Sequence, residues 1–148
     1  MEVQQDFKEL LALFNAHKVE YIIVGAYALA FHGAPRFTGD IDILVRPLQE
    51  NAKKILSALE DFGFGSVNLT IDDFQKSDHV VQLGHPPVRV DIVTSITGVT
   101  WEEADQGKQT GLYGDVPVFF LGKEQYIANK RATGRLKDRA DLETLGEK

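Results

Sequence analysis

The sequence predicts an α/β (α+β) domain, a mixed β-sheet flanked by helices and followed by C-terminal helices, and three observations predict it. Segments with helical spacing of apolar residues interleave with short β-branched runs instead of forming separate blocks. A strand-like run, a glycine and a helix-forming run follow one another directly in VEYIIVG and AYALAFHG. The 148 residues are 43% hydrophobic, enough for one core, so residues 1–148 are read as a single domain.

Each element has its own signal. Val3, Phe7, Leu10, Leu11 and Phe14 share a stripe, predicting an amphipathic helix over 2–17. VEYIIVG reads as a buried strand stopped by glycine, and AYALAFHG as a helix closed by Gly33, with Pro35 behind it as a breaker. DIDILV alternates, and alternation in a strand puts Asp40 and Asp42 on one face and Ile41 and Ile43 on the other. After Pro47, a stripe of Ala52, Ile55, Leu56, Leu59 and Phe62 predicts a helix ending at Gly63. Residues 66–77 are weakly patterned and read as a strand followed by a polar loop. HVVQLG and VRVDIVTS, separated by His85-Pro86-Pro87, read as a β-hairpin with Val88, Val90 and Ile92 on one face and Arg89 and Asp91 on the other. Residues 98–107 read as a loop or short helix, TGLYGDVPVFFLG as two strands around Gly114-Asp115, and the remainder as two helices broken at Gly134.

Composition narrows the chemistry. With no cysteine, a disulfide framework and a thiolate metal site are both excluded, and any metal must be held by oxygen or imidazole. The first residues lack the basic flank and apolar run of a signal peptide, and no run reaches the ~18 apolar residues of a membrane span. A cytoplasmic protein without membrane contact is expected. The formal charge of −6 argues against a long nucleic-acid footprint, although KRATGRLKDRAD gathers Lys130, Arg131, Arg135, Lys137 and Arg139 into one basic stretch. A solvated helix face is the plain account of that stretch.

Asp40, Asp42 and Asp91 are the constellation that asks for chemistry. Three carboxylates of the same outward parity on strands destabilise one another unless a cation neutralises them or water surrounds them all. Magnesium suits such a site, since it takes hard oxygen ligands and is commonly held by a few carboxylates together with substrate phosphates. A glycine turn opening a helix adds backbone N–H groups for phosphate oxygens, so the set fits phosphoryl or nucleotidyl transfer. The sequence continues neither as a calcium loop, because Leu44 and Arg46 stand where oxygen ligands would be needed, nor as an Asp-x-Asp-x-Thr phosphatase motif. His32, His79 and His85 receive no role, and Tyr27, Phe31 and Trp101 are read as core aromatics.

With VGAYALAFHGAPRFTGDIDILV and the later VRVDIV, the chain resembles the polymerase-beta-type nucleotidyltransferase superfamily. Its Arg36-x-Thr38-x-Asp40-Ile41-Asp42 block and its ending KRATGRLKDRADLETL are similar to the minimal nucleotidyltransferases related to AbiEii-type toxin proteins. The resemblance covers nearly the whole chain. It implies a nucleotidyltransferase-type fold in which Asp40 and Asp42 bind two Mg2+ ions, or Mn2+ in their place, and Asp91 completes the site and helps to deprotonate the attacking hydroxyl. Gly25 would open the phosphate-binding turn, and Ala26 departs from the family's serine or glycine, leaving only a backbone amide to offer. Arg36, Thr38, Lys130 and Lys137 are the implied contacts to nucleotide or acceptor.

The implied activity is metal-dependent transfer of a nucleoside monophosphate from a nucleoside triphosphate to an acceptor hydroxyl on RNA, protein or a small molecule, releasing pyrophosphate. A toxin–antitoxin setting would add a cognate antitoxin as protein partner. The alternative is a catalytically weak or inactive module of the same fold that binds a nucleotide or a protein partner.

Overall fold

Alternation in the segment beginning at Asp40 sets the layering of the molecule. In the computed structural model, which describes residues 3–34, 39–64, 68–85 and 88–146, Ile41 and Ile43 are fully buried while Asp40 and Asp42 on the opposite face are partly exposed. The chain order is α1 (Gln5–Ala16), β1 (Tyr21–Val24), α2 (Gly25–Phe31), β2 (Asp40–Val45) and α3 (Gln49–Leu59), which continues into a π-helical turn, Glu60–Phe64. There follow α4 (Ile71–Gln75), β3 (Val80–His85), β4 (Val88–Val93), α5 (Trp101–Gly107), β5 (Gln109–Tyr113), β6 (Val116–Phe120), α6 (Lys123–Thr133) and α7 (Leu136–Thr144).

The strands form one six-stranded mixed sheet in the order β3-β4-β2-β1-β6-β5. β1 runs antiparallel to β2 and parallel to β6, β2 runs parallel to β4, and the β3–β4 and β5–β6 pairs are antiparallel hairpins. One face packs Ile41, Ile43, Val90 and Ile92 against Phe7, Leu10 and Phe14 of α1, Ile55 and Leu59 of α3 and Phe74 of α4. The other face carries a smaller apolar cluster, in which Ile22, Val24 and Leu44 meet Ala28 and Leu29 of α2, Ala104 of α5 and Tyr126 of α6. The carboxylates lie beside this second, less completely covered layer.

Asn51, 1% exposed, locks the strand ends together. Its Oδ1 accepts from the Glu20 N–H at 2.8 Å, and its Nδ2 donates to the Glu20 and Arg46 carbonyls at 3.0 Å each. That satisfies backbone groups which β1 and β2 leave over where they end.

Two expectations are corrected. Residues 71–75, read as part of a strand and polar loop, form α4, because Thr70 and Asp73 make a capping box and Phe74 turns its ring into the core. The helix expected to run to Gly63 keeps α-helical form only to Leu59, and Gly63, at φ +108°, turns the chain out of the π-helical turn. Among the described residues no helix is long and apolar enough to cross a membrane.

Candidate active site

Strand register assembles the carboxylates. In the parallel β2–β4 pair Asp42 stands opposite Asp91 and Asp40 opposite Arg89, and in the antiparallel β1–β2 pair Val24 stands opposite Asp42. Gly25 therefore follows directly on the residue beside Asp42. It adopts φ +68°, and a Cβ there would collide with Asp42 Oδ2. A residue with a side chain would both strain this turn and displace the carboxylate. Ala26, next in α2, is partly exposed.

Arg89 enters this group unannounced. Its Nη2 donates to Asp40 Oδ2 at 3.1 Å and to Asp91 Oδ2 at 3.2 Å, while Nε lies 3.0 Å from Asp91 Oδ1 at an angle too poor for a hydrogen bond. One guanidinium thus bridges the two carboxylates that flank Asp42 and offsets one of their two negative charges. Asp42 itself is pushed up to about 6, first by burial and then by the charges of Asp91 and Asp40, a hydrogen bond shared with Asp91 adding to the effect. Lys130 opposes that rise through its positive charge.

Tyr126 of α6 packs in the apolar cluster beside the carboxylates, which brings Lys130 of the same helix to this side of the sheet. Lys130 is 9% exposed, with its ammonium over the Tyr126 ring and 3.4 Å from Asp138 Oδ1. Asp138, fully buried, also accepts from Arg135 Nε at 2.8 Å and from the Thr133 hydroxyl. The basic stretch is therefore not one solvated face: Lys130 is drawn inward, Arg135 is tied to Asp138, and Lys137 and Arg139 stay exposed on α7. The structure brings Gly25, Asp40, Asp42 and Asp91 together with Lys130 in electrostatic reach. Lys137 makes no ion pair among the described residues, and Arg36 and Thr38 lie outside them.

The remaining candidates are structural. His32 Nε2 lies 2.7 Å from the Leu121 carbonyl and donates to it, joining α2 to the end of β6. Phe31 stacks on Phe120 at 4.3 Å, Tyr27 is buried, and His79 lies 3.4 Å from Asp73. Trp101 borders a cleft of about 420 Å³ with Leu44, Thr94 and Ser95, and none of the three aspartates lines that cleft.

The donor set suits a hard divalent cation. Asp91 is only 9% exposed, its Oδ1 accepts no hydrogen bond, and the partly exposed carboxylate of Asp42 stands opposite it in the β2–β4 register. As the side chains stand, no three acidic or histidine groups among the described residues enclose a common point. Asp40 and Asp91 converge on Arg89 instead.

No family model matches the sequence, and no curated protein does. Several solved structures share the fold, among them the two that follow. A Thermotoga maritima protein, TM1012, provisionally named a nucleotidyltransferase, superposes with a TM-score of 0.64 over 93% of this chain and 88% of its own, at 18% identity. The lincosamide antibiotic adenylyltransferase LnuA, bound to lincomycin, superposes with a TM-score of 0.58 over 99% of this chain and 98% of its own, at 16% identity. The chain has a nucleotidyltransferase fold.

Proposed function

We propose that the protein transfers a nucleoside monophosphate from a nucleoside triphosphate to a hydroxyl group of a small molecule, releasing pyrophosphate. The observation that carries this reading is the Asp42–Asp91 register with Asp40 one pleat away, on a fold shared with LnuA over nearly the full length of both chains. A small acceptor agrees with the charge of −6, which disfavours a long run of phosphate contacts, and with the lincomycin bound to that neighbour.

In this reading the acceptor oxygen attacks the α-phosphorus, and the bond to the bridging oxygen breaks with its electron pair leaving on pyrophosphate. Asp91 takes the acceptor proton. Asp40, Asp42 and Asp91 would hold Mg2+, as a pair of ions or with Mn2+ in its place, supplying positive charge to the phosphoryl and leaving oxygens. Backbone N–H groups at Gly25 and Ala26 donate to triphosphate oxygens, and the absence of a hydroxyl at Ala26 leaves that contact to the main chain. Lys130, Lys137, Arg36 and Thr38 are assigned to the nucleotide and acceptor. The use of nucleoside triphosphate goes with a cytoplasmic location.

Purified protein incubated with Mg2+, each α-labelled nucleoside triphosphate and a panel of hydroxylated small molecules including lincomycin tests the reading, with total RNA and protein as parallel acceptors. Label should enter a small molecule, and the Asp40→Asn/Asp42→Asn variant should transfer none. Label in RNA would reject the small acceptor and favour the toxin-like role, with an antitoxin as partner. If neither label nor pyrophosphate appears with any acceptor, transfer is rejected. The second reading, a nucleotide- or partner-binding module, then stands; the guanidinium already lodged between Asp40 and Asp91 is the observation favouring it.

A further inference from the structure

Arg89 holds a place that a site built only for a divalent cation has no reason to fill. The main chain fixes it there: the Arg89 N–H donates to the Gly39 carbonyl at 3.1 Å and the residue pairs with Asp40 across β2 and β4. Its side chain, 28% exposed, spans from Asp40 Oδ2 to both oxygens of Asp91 within 3.0 to 3.2 Å. A guanidinium keeps its charge at every physiological pH and presents a rigid fork of donors. A divalent ion between the same carboxylates would set its two positive charges against that of the guanidinium, so the two cations exclude each other. When the ion enters, Arg89 needs another anion. Phosphate oxygens match its fork as well as carboxylates do, and a triphosphate arrives with the ion.

We propose that Arg89 is a built-in counter-ion of the Asp40–Asp91 pair, which keeps affinity for a free divalent cation low and passes to the triphosphate when metal and nucleotide arrive together. This rests on the metal-dependent reading above and adds to it a positioning residue that couples the two ligands. The coupling follows from competition for two carboxylates, and no change in the backbone is needed.

The test uses the whole chain and two probes, Mn2+ alone, followed by the paramagnetic signal of the free ion, and the manganese–tripolyphosphate complex, followed by calorimetry. Arg89→Met should bind Mn2+ alone about tenfold more tightly than the wild type and the tripolyphosphate complex about tenfold more weakly, each the equivalent of about 1.4 kcal/mol. Arg89→Lys, which keeps a charge but loses the fork, should lie between. Arg89→Gln replaces Arg89→Met if the latter does not fold. The opposite directions are the signature, because a merely structural arginine would weaken both probes when removed. Weakening of both, or an unchanged affinity for Mn2+ alone, overturns the role of Arg89 and leaves the metal site standing. Failure of every protein, variants included, to bind either probe overturns the metal-dependent reading and this inference with it.

Discussion

Asp42 carries an electrostatic cost that its neighbours only partly relieve. Its carboxyl is raised to about 6 by burial and by Asp91 and Asp40, so the folded state binds that proton more tightly than the unfolded chain does. Ionised Asp42 therefore lowers stability, increasingly as pH rises from the ordinary carboxylate range to about 6 and by a constant amount above it. Asp42→Asn should accordingly be the more stable protein at neutral pH, by about 1–3 kcal/mol, with the advantage vanishing below about pH 4. Denaturant melts of both proteins from pH 3.5 to 8 check this, and a wild type more stable than the variant at pH 7.5 would contradict it. The same residue shows how far a strand can be read from sequence. Alternation in DIDILV places both aspartates on one face from the sequence alone, because side chains alternate whatever the strand pairs with. The role of Arg89 was hidden, although its parity with Asp91 was plain. Asp40 is on another strand, and only the register of β2 against β4 puts it within reach of the guanidinium.

Among the elements, α6 and α7 show a charge run resolved by burial. Six residues from Thr133 to Asp138 fold back around the break at Gly134, which adopts φ +63°, and Asp138 becomes the buried anchor of Lys130, Thr133 and Arg135. Burial by itself would raise the Asp138 carboxyl, but the hydrogen bonds from Arg135 and Thr133 and the charge of Lys130 outweigh it and hold it well below the usual carboxylate range. The stabilisation is fully present at neutral pH and is lost as pH falls below the ordinary carboxylate range toward the depressed value. Asp138→Ala leaves Lys130 buried beside an empty place and should cost about 3 kcal/mol at pH 7, the low end for a broken buried pair because Arg135 can return to water. Melts from pH 7 down to pH 2 measure it: the loss should shrink progressively only below about pH 4, and a loss of the same size at every pH would show that packing, not charge, sets the effect. From sequence, the cations of this stretch were indistinguishable, since helical spacing does not say which one the sheet will cover. The α4 turn, by contrast, had a readable signal in Thr70-Ile71-Asp72-Asp73, a capping pattern short enough to be lost in a polar segment.

At the scale of the whole molecule, the sheet order was beyond local reading. Hairpins announce themselves by short turns, and both were legible; the central parallel contact between β2 and β4 spans α3, α4 and β3 and leaves no local mark. If the carboxylates take up metal and nucleotide jointly, the two ligands together should stabilise the fold as a unit. Triphosphate and Mg2+ at about a hundred times their joint dissociation constant should add about 2.7 kcal/mol, seen as a rise in Tm of about 8 °C. Either ligand alone should add much less, and the Asp40→Asn/Asp42→Asn variant should gain nothing. Equal shifts for triphosphate with and without Mg2+ would show that the carboxylates take no part in binding.

The pairing of Asp42 with Asp91 also bears on which hereditary changes the chain can absorb. Deleting or inserting one residue inside β2 reverses the faces of everything beyond it, sending an aspartate toward Phe14 and Ile55 and an isoleucine toward Arg89. Core and site would be lost in the same event. Changes of length are therefore confined to the turns between strands, and within β2 and β4 descent can proceed only by exchange of one side chain for another.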